Sequence, residues 1–326
     1  MAKPLPICAD LIDCNYAVAG HDGTLSDQTT QTFTIFMPTF LGTLQLDEDQ
    51  KKTIEEKREE LIAQHAIPEV SYPGRTNGKR IATNQAVVLE NASHGFVKPN
   101  ILDVKLGVRL WADDAHQDKK TRFDKVTEQT THKEFGFRIA GMRVWQGPDA
   151  RGNDIDEDGY RIYNKDYGRF EVNNGNVHEA FKNFIFTASA GIDKELGQLI
   201  SQAFLTDLLR IQDVLESQES RMYSASLLFV FEGDGKALRA AMEEASRTPP
   251  RTMIEHASSS SGETLSSFED EEEDDGDMEE EPFPKIYALK VIDFAHAQWT
   301  PGLGPDYNSL VGVRSVAKIL ETLADS

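Results

Sequence analysis

Between Pro4 and Gln50 the chain contains no lysine and no arginine. Any permanent side-chain cation in this protein must therefore come from outside that stretch. Cysteine is nearly absent: Cys8 and Cys14 are the two in 326 residues. Two cysteines without a Cys/His cluster exclude a zinc site and point to a reducing compartment. No apolar run approaches about 18 residues, so no membrane-spanning helix is expected. Residues 1–10 lack the basic-then-apolar order of a signal peptide. Walker A, H-E-x-x-H and G-x-S-x-G patterns are also missing, which removes P-loop, zincin and serine-hydrolase chemistry from consideration.

What remains is acidic overall and basic in one place. Net charge is -21, with 39% apolar residues, enough for a core in one two-lobed domain or two small ones. The excess is concentrated: 11 of the 13 residues from Glu269 to Glu281 are acidic. From Lys98 to Arg143 the balance reverses, with ten Lys/Arg against seven Asp/Glu. Basic density of this kind inside an acidic chain suits a focused anion site better than a broad nucleic-acid face, although an ordinary solvated helix and strand would also explain it.

Hydrophobic periodicity divides the chain. Asp47 to Gln64 reads as an exposed helix, Ile81 to Leu89 and Val104 to Trp111 as strands, Asp118 to Gln129 as an amphipathic helix, and Phe135 to Trp145 as a strand. Gly147 to Gly159 is a polar loop. Asp193 caps the strongest helix, to Met222, along which Leu196, Leu199, Ile200, Ala203, Phe204, Leu208, Ile211 and Leu215 keep a helical period. Ser226 to Glu232 and Ile286 to Phe294 read as buried strands, and Asn308 to Leu323 as a closing helix. Thr248 to Pro284, rich in Pro, Ser and acid, is expected to be disordered. Strands dominate the first part and helices the second, which points to an α+β, two-lobed enzyme.

Four constellations carry chemistry. In Pro99-Asn100-Ile101-Leu102-Asp103-Val104-Lys105-Leu106-Gly107 the proline and glycine bound a short strand. Asp103 and Lys105, two apart, then share one face and suit a ligand bearing hydroxyls and phosphates. In Val291-Ile292-Asp293-Phe294-Ala295-His296 a buried strand delivers a carboxylate to its tip, a common way to hold Mg²⁺ against phosphates. Arg221 to Gly233 is a serine-containing turn feeding a buried strand, and Ala19 to Leu25 (AGHDGTL) is a tight glycine loop. Each has a plainer reading alone: a strand-end ion pair, a capping aspartate, a helix stop, a turn.

Together they resemble the inositol polyphosphate kinase family. P-x-x-x-D-x-K-x-G at 99–107 is similar to its signature, and AGHDGTL, FMPTFLG, VLEN, GFVKPNILDVKLG, GFRIAGMRV, SLLFVFEGD and IDFAHA resemble motifs of its fungal multikinase branch. The resemblance covers nearly the whole chain outside residues 47–84 and the acidic tract. It implies a protein-kinase-like two-lobed fold with ATP between the lobes: residues 1–92 as N-terminal lobe to hinge, and 93–326 as catalytic lobe with an acidic insert at about 248–284. It further implies that backbone groups of Glu90 and Ala92 read adenine and that Asp103 accepts the ribose hydroxyls. Lys105 would face the reacting hydroxyl and the transferred phosphoryl, Asp293 would hold Mg²⁺, and His296 would contact the inositol substrate. Ser226 matches the second serine of the family's Ser-Ser-Leu-Leu motif, while Ala225 replaces the first. Lys119, Lys120, Arg122 and Lys125 on the following helix, with Arg143, are the candidate cations for substrate phosphates, Lys125 and Arg143 foremost; residues three or four apart share a helix face.

One departure is upstream. The family's strand ending in Lys-Pro and the helix after it, whose lysine contacts the ATP phosphates, have no counterpart between Leu25 and Met37. The sequence as written lacks an exon, or the chain is a short form with weakened catalysis, or Lys51, Lys52 or Lys79 substitutes. Loss of one preorganised charge at the phosphates costs about 10²–10³-fold in rate.

The expected function is ATP- and Mg²⁺-dependent phosphorylation of inositol trisphosphate and tetrakisphosphate, extending to phosphatidylinositol bisphosphate headgroups, in nucleus and cytoplasm. Trisphosphate 3-kinase and hexakisphosphate kinase are sister readings; no basic calmodulin-binding helix is visible to support the first. From another class comes a non-catalytic scaffold in a transcription-factor complex controlling arginine metabolism, with the acidic tract as contact surface. Ser266 and Ser267, three residues before acidic positions, are expected phosphorylation sites, against the plainer reading of an inert linker.

Overall fold

A computed structural model describes residues 34–45, 85–152, 154–247 and 285–326. The glycine loop at 19–25, residues 26–33 where the lysine strand is missing, the helix expected at 47–64, Lys51, Lys52 and Lys79, and the 248–284 insert with Ser266 and Ser267 all lie outside the described residues. The chain divides into two units, Met1–Ala92 and Ser93–Ser326.

In the first unit β1 (Phe40–Gln45) pairs antiparallel with β2 (Gln85–Leu89). Glu90 ends β2. Its backbone N–H donates to the Thr39 carbonyl at 2.9 Å, and the Thr39 hydroxyl donates to its carboxylate.

The second unit runs β3 (Pro99–Leu106), α1 (Gln117–Glu128), the short α2 (His132–Phe135), β4 (Phe137–Trp145), β5 (Tyr160–Tyr163), a π-type turn at Tyr167–Glu171 and α3 (Val177–Ile185). It continues with α4 (Lys194–Ser217), β6 (Ser220–Met222), β7 (Ser226–Glu232), α5 (Gly235–Arg247), β8 (Tyr287–Ile292), a 3₁₀ turn at Phe294–His296, β9 (Ala297–Trp299) and α6 (Tyr307–Ala324). Five strands form an antiparallel sheet in the order β5-β4-β3-β7-β8, and β6 pairs with β9 apart from it. The unit is mixed α and β, in agreement with the class read from the sequence.

The sheet has one apolar face because its strands alternate. Leu102, Val104 and Leu106 of β3, Leu227, Phe229 and Phe231 of β7, and Leu289 and Val291 of β8 are buried on it. Helices α3 and α4 press aromatic rings against this face. Phe184 meets Phe231 edge-on at 5.2 Å, and Phe204 meets Phe229 at 5.1 Å. Fully burying each such side chain contributes about 1.5–3 kcal/mol. The helical period of α4 is satisfied here by Leu196, Ile200, Phe204, Leu208, Ile211 and Leu215, and the Asp193 carboxylate caps it by accepting from Leu196 N at 3.0 Å. No helix among the described residues is long and apolar enough to cross a membrane.

The strand expected at 104–111 is displaced: β3 starts at Pro99 and ends at Leu106. Gly107 stops it with φ +102, and a Cβ there would lie 2.7 Å from the Asn308 side-chain amide. Three helices, the single-turn α2 together with α3 and α5, were not anticipated. Nine-residue α3 is too short to display a period clearly; α5 is capped by the Asp234 carboxylate, which accepts from Lys236 N at 2.8 Å and Ala237 N at 3.2 Å, but this aspartate sits in a Gly-Asp-Gly run that reads as a turn.

Candidate functional site

The opposite face of the same sheet carries the polar residues. Asp103 and Lys105 are on the half-buried positions of β3. Cross-strand pairing sets Lys105 opposite Ser226 of β7, and Ser226 opposite Ile292 of β8. Asp293 follows directly, so strand order brings a residue 188 positions away to Lys105. The Lys105 ammonium donates to Asp293 Oδ2 at 2.8 Å, to the Ser224 carbonyl at 2.8 Å and to Ser226 Oγ at 3.1 Å. An ammonium has three N–H donors, and these three acceptors match them.

Asp293 adopts left-handed φ and ψ of 69° and 50° as the chain leaves β8 for the 3₁₀ turn. Its side chain is 55% exposed, so the carboxylate faces solvent as well as Lys105. Among the described residues no group of three His, Cys, Asp or Glu side chains could cage a metal ion. A single carboxylate at a strand tip fits a cation that takes its other ligands from phosphates and water, as Mg²⁺ does.

Asp103 has a different character. Burial pushes its carboxyl above the ordinary range, against the pull of the Ser226 hydroxyl and the Lys105 ammonium. Its Oδ1 is buried without a hydrogen-bond partner. An acceptor in that state favours a ligand that donates, and a hydroxyl does so. Beyond Lys105, on β4, lies Arg138, its cross-strand neighbour and 6% exposed. Arg138 donates to the Ile139 carbonyl at 3.0 Å, and burial lowers it to about 10, with the Asp103 charge acting in the opposite direction. The sequence reading passed over Arg138, although it stands inside GFRIAGMRV and alternates out of an apolar strand.

Helix α1 divides its cations between two sides. Lys119 reaches the active edge, its ammonium 3.2 Å from His296 Nε2. An ammonium has no lone pair, so this contact uses the lone pair of the imidazole. Arg122, one turn on, lies over the Phe123 ring at 5.3 Å and is exposed. Lys120 turns the other way, donating to the Asp113 carbonyl at 2.8 Å with its ammonium 4.8 Å from the Trp111 ring. Lys125 is exposed in the last turn. The His296 loop is tied down, its carbonyl accepting from Tyr223 N at 3.1 Å.

Arg143 is not gathered with these groups. It is paired with Ile101, four residues along β3 from Lys105, which is about 13 Å of strand. There its guanidinium covers the Tyr160 ring at 3.5 Å and lies 3.6 Å from both Asp156 and Asp158. A cavity of about 420 Å³ near that end is lined by Lys98, Trp145, Arg151, Asp156 and Asp158 among others, and by none of the site residues named from the sequence. Glu90 and Ala92 belong to the first unit; the Glu90 N–H is already taken by Thr39. Ala225, at the position of the motif's first serine, is fully buried, and its carbonyl accepts from Leu106 N at 2.8 Å.

Residues 86–321 match the family model described as inositol polyphosphate kinase. The chain is 29% identical over 299 residues to the inositol polyphosphate multikinase of Saccharomyces cerevisiae, covering 87% of this chain and 81% of that protein. It is 31% identical over 265 residues to human inositol hexakisphosphate kinase 1, covering 77% of this chain but only 55% of that longer protein. Among solved structures it resembles the S. cerevisiae inositol phosphate multikinase Ipk2 in complex with ADP and Mn²⁺, with a TM-score of 0.57, 26% identity and 89% of each chain covered.

Proposed function

The chain belongs to the inositol polyphosphate kinase family, and from that premise we propose that it is an ATP- and Mg²⁺-dependent inositol polyphosphate multikinase. Its substrates are inositol trisphosphate and tetrakisphosphate, with phosphatidylinositol bisphosphate headgroups as a further acceptor. The observation that carries the reading is the Lys105 ammonium held between Asp293 and Ser226, beside the unsatisfied Asp103 acceptor. The ADP and Mn²⁺ named with the yeast neighbour support nucleotide and divalent-cation use.

In this reading Asp103 accepts the ribose hydroxyls, with two acceptor oxygens for two donors. Adenine is read by the Glu90 carbonyl and the Ala92 N–H. Asp293 holds the divalent cation, which when bound neutralises charge between the terminal phosphates. Lys105 directs its charge at the transferred phosphoryl and the attacking hydroxyl, a fixed charge that needs no reorganisation as the reaction proceeds. Lys119, His296 and Arg122 hold substrate phosphates through charge-assisted hydrogen bonds; Lys120 and Lys125 flank them. Positioning and charge neutralisation then supply the catalysis.

The test is incorporation of phosphate from ATP into inositol trisphosphate by the purified full chain with Mg²⁺. Slow formation of tetrakis- and pentakisphosphate is expected, about 10²–10³-fold below a relative that carries the lysine strand. No turnover, with nucleotide binding intact, would show that the absent lysine strand leaves the site incomplete. In cells, a phenotype that survives Asp293→Ala would assign the role to scaffolding in transcriptional regulation of arginine metabolism, in nucleus and cytoplasm, and one that is lost would assign it to catalysis.

A further inference from the structure

We propose that Ser224 is a positioning residue whose left-handed backbone aims its carbonyl at Lys105 and so sets the direction of the ammonium. The proposal rests on the reading of Lys105 as the charge that meets the transferred phosphoryl. Two non-glycine residues among those described have positive φ: Ser224 at 63° and Asp293 at 69°. Both touch the same atom, Lys105 Nζ, each at 2.8 Å. An L-residue enters this region against its Cβ and stays there only when its surroundings over-determine it.

Those surroundings are visible on either side of Ser224. Met222 N donates to Asp306 Oδ2 at 2.8 Å, and Tyr223 N to the His296 carbonyl at 3.1 Å. On the other side the Ala225 carbonyl accepts from Leu106 N at 2.8 Å, which ties the chain to β3. The Ser224 hydroxyl itself donates to the Leu110 carbonyl at 3.0 Å. Neighbouring backbone groups are committed in both directions, and the left-handed turn between them leaves the Ser224 carbonyl facing the lysine. Serine serves better here than glycine because its hydroxyl anchors the turn.

The three acceptors on Lys105 are not equivalent. Asp293 carries a charge and faces solvent, and it is the group assigned to the divalent cation. The Ser224 carbonyl and the Ser226 hydroxyl are neutral and fixed. A neutral acceptor orients an ammonium without discharging it. With these two holding the protein side, the third N–H is free for the phosphoryl once Asp293 turns to the cation.

The experiment compares Ser224→Val, Ser224→Thr and Ser224→Asn in the full chain. Valine and threonine are β-branched and disfavour the left-handed region, while asparagine tolerates it. Threonine also keeps the hydroxyl anchor, so it tests backbone direction should the valine variant not fold. Thermal melts confirm folding. The readouts are kcat and KM for ATP and inositol trisphosphate, and the rate at which an amine-reactive ester modifies Lys105, followed by mass spectrometry. The valine and threonine variants are expected to lose about tenfold in kcat with KM for ATP changed less than twofold. Their Lys105 should be modified several-fold faster. The asparagine variant should retain at least fivefold more kcat than the valine variant and keep Lys105 protected. Equal losses in all three, or Lys105 protection unchanged in the β-branched pair, would overturn the proposal. Absence of both turnover and nucleotide binding in the wild-type chain would instead overturn the kinase reading, and the Lys105 modification rates would still decide the role of Ser224.

Discussion

Lys105 and Asp293 meet at 2.8 Å although 188 residues separate them in sequence. The lysine is the more buried partner, with 22% of its side chain exposed against 55% for the aspartate. A pair this open to solvent contributes little to stability, about 0–1 kcal/mol. Its value is geometric: it places a cation and a carboxylate side by side before any ligand arrives.

Lys105→Met should therefore leave the fold intact and remove the chemistry. The melting temperature is expected to change by only a few degrees, while kcat falls about 10²–10³-fold. Calorimetric titration with ATP should show nucleotide affinity within a few-fold of wild type. A large loss of nucleotide binding would mean that Lys105 serves the nucleotide rather than the transferred group.

Asp293→Asn tests the cation site. Binding of Mn²⁺ with ADP, read by electron paramagnetic resonance of the free ion, should weaken about tenfold or more, since the substitution removes the one carboxylate assigned to the cation. Binding of ADP without the cation should change much less. Equal loss under both conditions would move the cation site elsewhere.

Asp103 should make nucleotide binding depend on pH. Burial raises its carboxyl above the ordinary range of an aspartate. The ionised form is the acceptor for ribose hydroxyls, so affinity should fall as acid protonates it, at a higher pH than for an exposed aspartate. Asp103→Asn should weaken ATP binding and abolish that dependence. It should also reduce discrimination between ATP and its 2′- and 3′-deoxy analogues, which competition assays would measure.

His132 links stability to pH. It is fully buried, and burial together with the Arg138 charge lowers it from 6.5 to about 3. The unfolded chain takes up a proton near 6.5 and the folded chain does not until about 3. Stability is thus complete above 6.5 and falls as pH drops through the interval, by about 1.4 kcal/mol per unit at most. Urea unfolding at pH 5 and pH 7 should show this slope, and His132→Phe should flatten it.

The cations around the substrate should separate in their effects. Lys119→Ala is expected to raise KM for inositol trisphosphate about tenfold, the scale of one charge-assisted hydrogen bond. Arg143→Ala should leave that KM within twofold, because Asp156, Asp158 and Tyr160 engage its guanidinium far along β4. Steady-state kinetics with both variants would decide.

Much of this site could be read from the chain before folding. Asp103 and Lys105 are two apart on a strand bounded by proline and glycine, and that spacing alone puts them on one face. Asp293 follows an apolar run, and Asp193 precedes a long helical period. Each inference is local, involving neighbours within one element. Arg143 shows where such reasoning stops. Its strand was correctly recognised, but position along the strand relative to Lys105 depends on the register of β3 against β4. Arg138 was overlooked for the same reason: opposite which residue it stands is a property of two strands.

Local residue order thus sets which residue types occupy which faces: the apolar alternation of β3, β7 and β8, the period of α4, and the motifs that assign the chain to its family. Tertiary structure alone decided what those faces meet. β7 lies between β3 and β8, which brings Asp293 to Lys105; burial raises Asp103; left-handed turns at Ser224 and Asp293 converge on one ammonium. The reason is physical. Side-chain alternation and helical period are fixed by bond geometry within a few residues, whereas strand order, register and desolvation arise only when distant segments bury their apolar faces together.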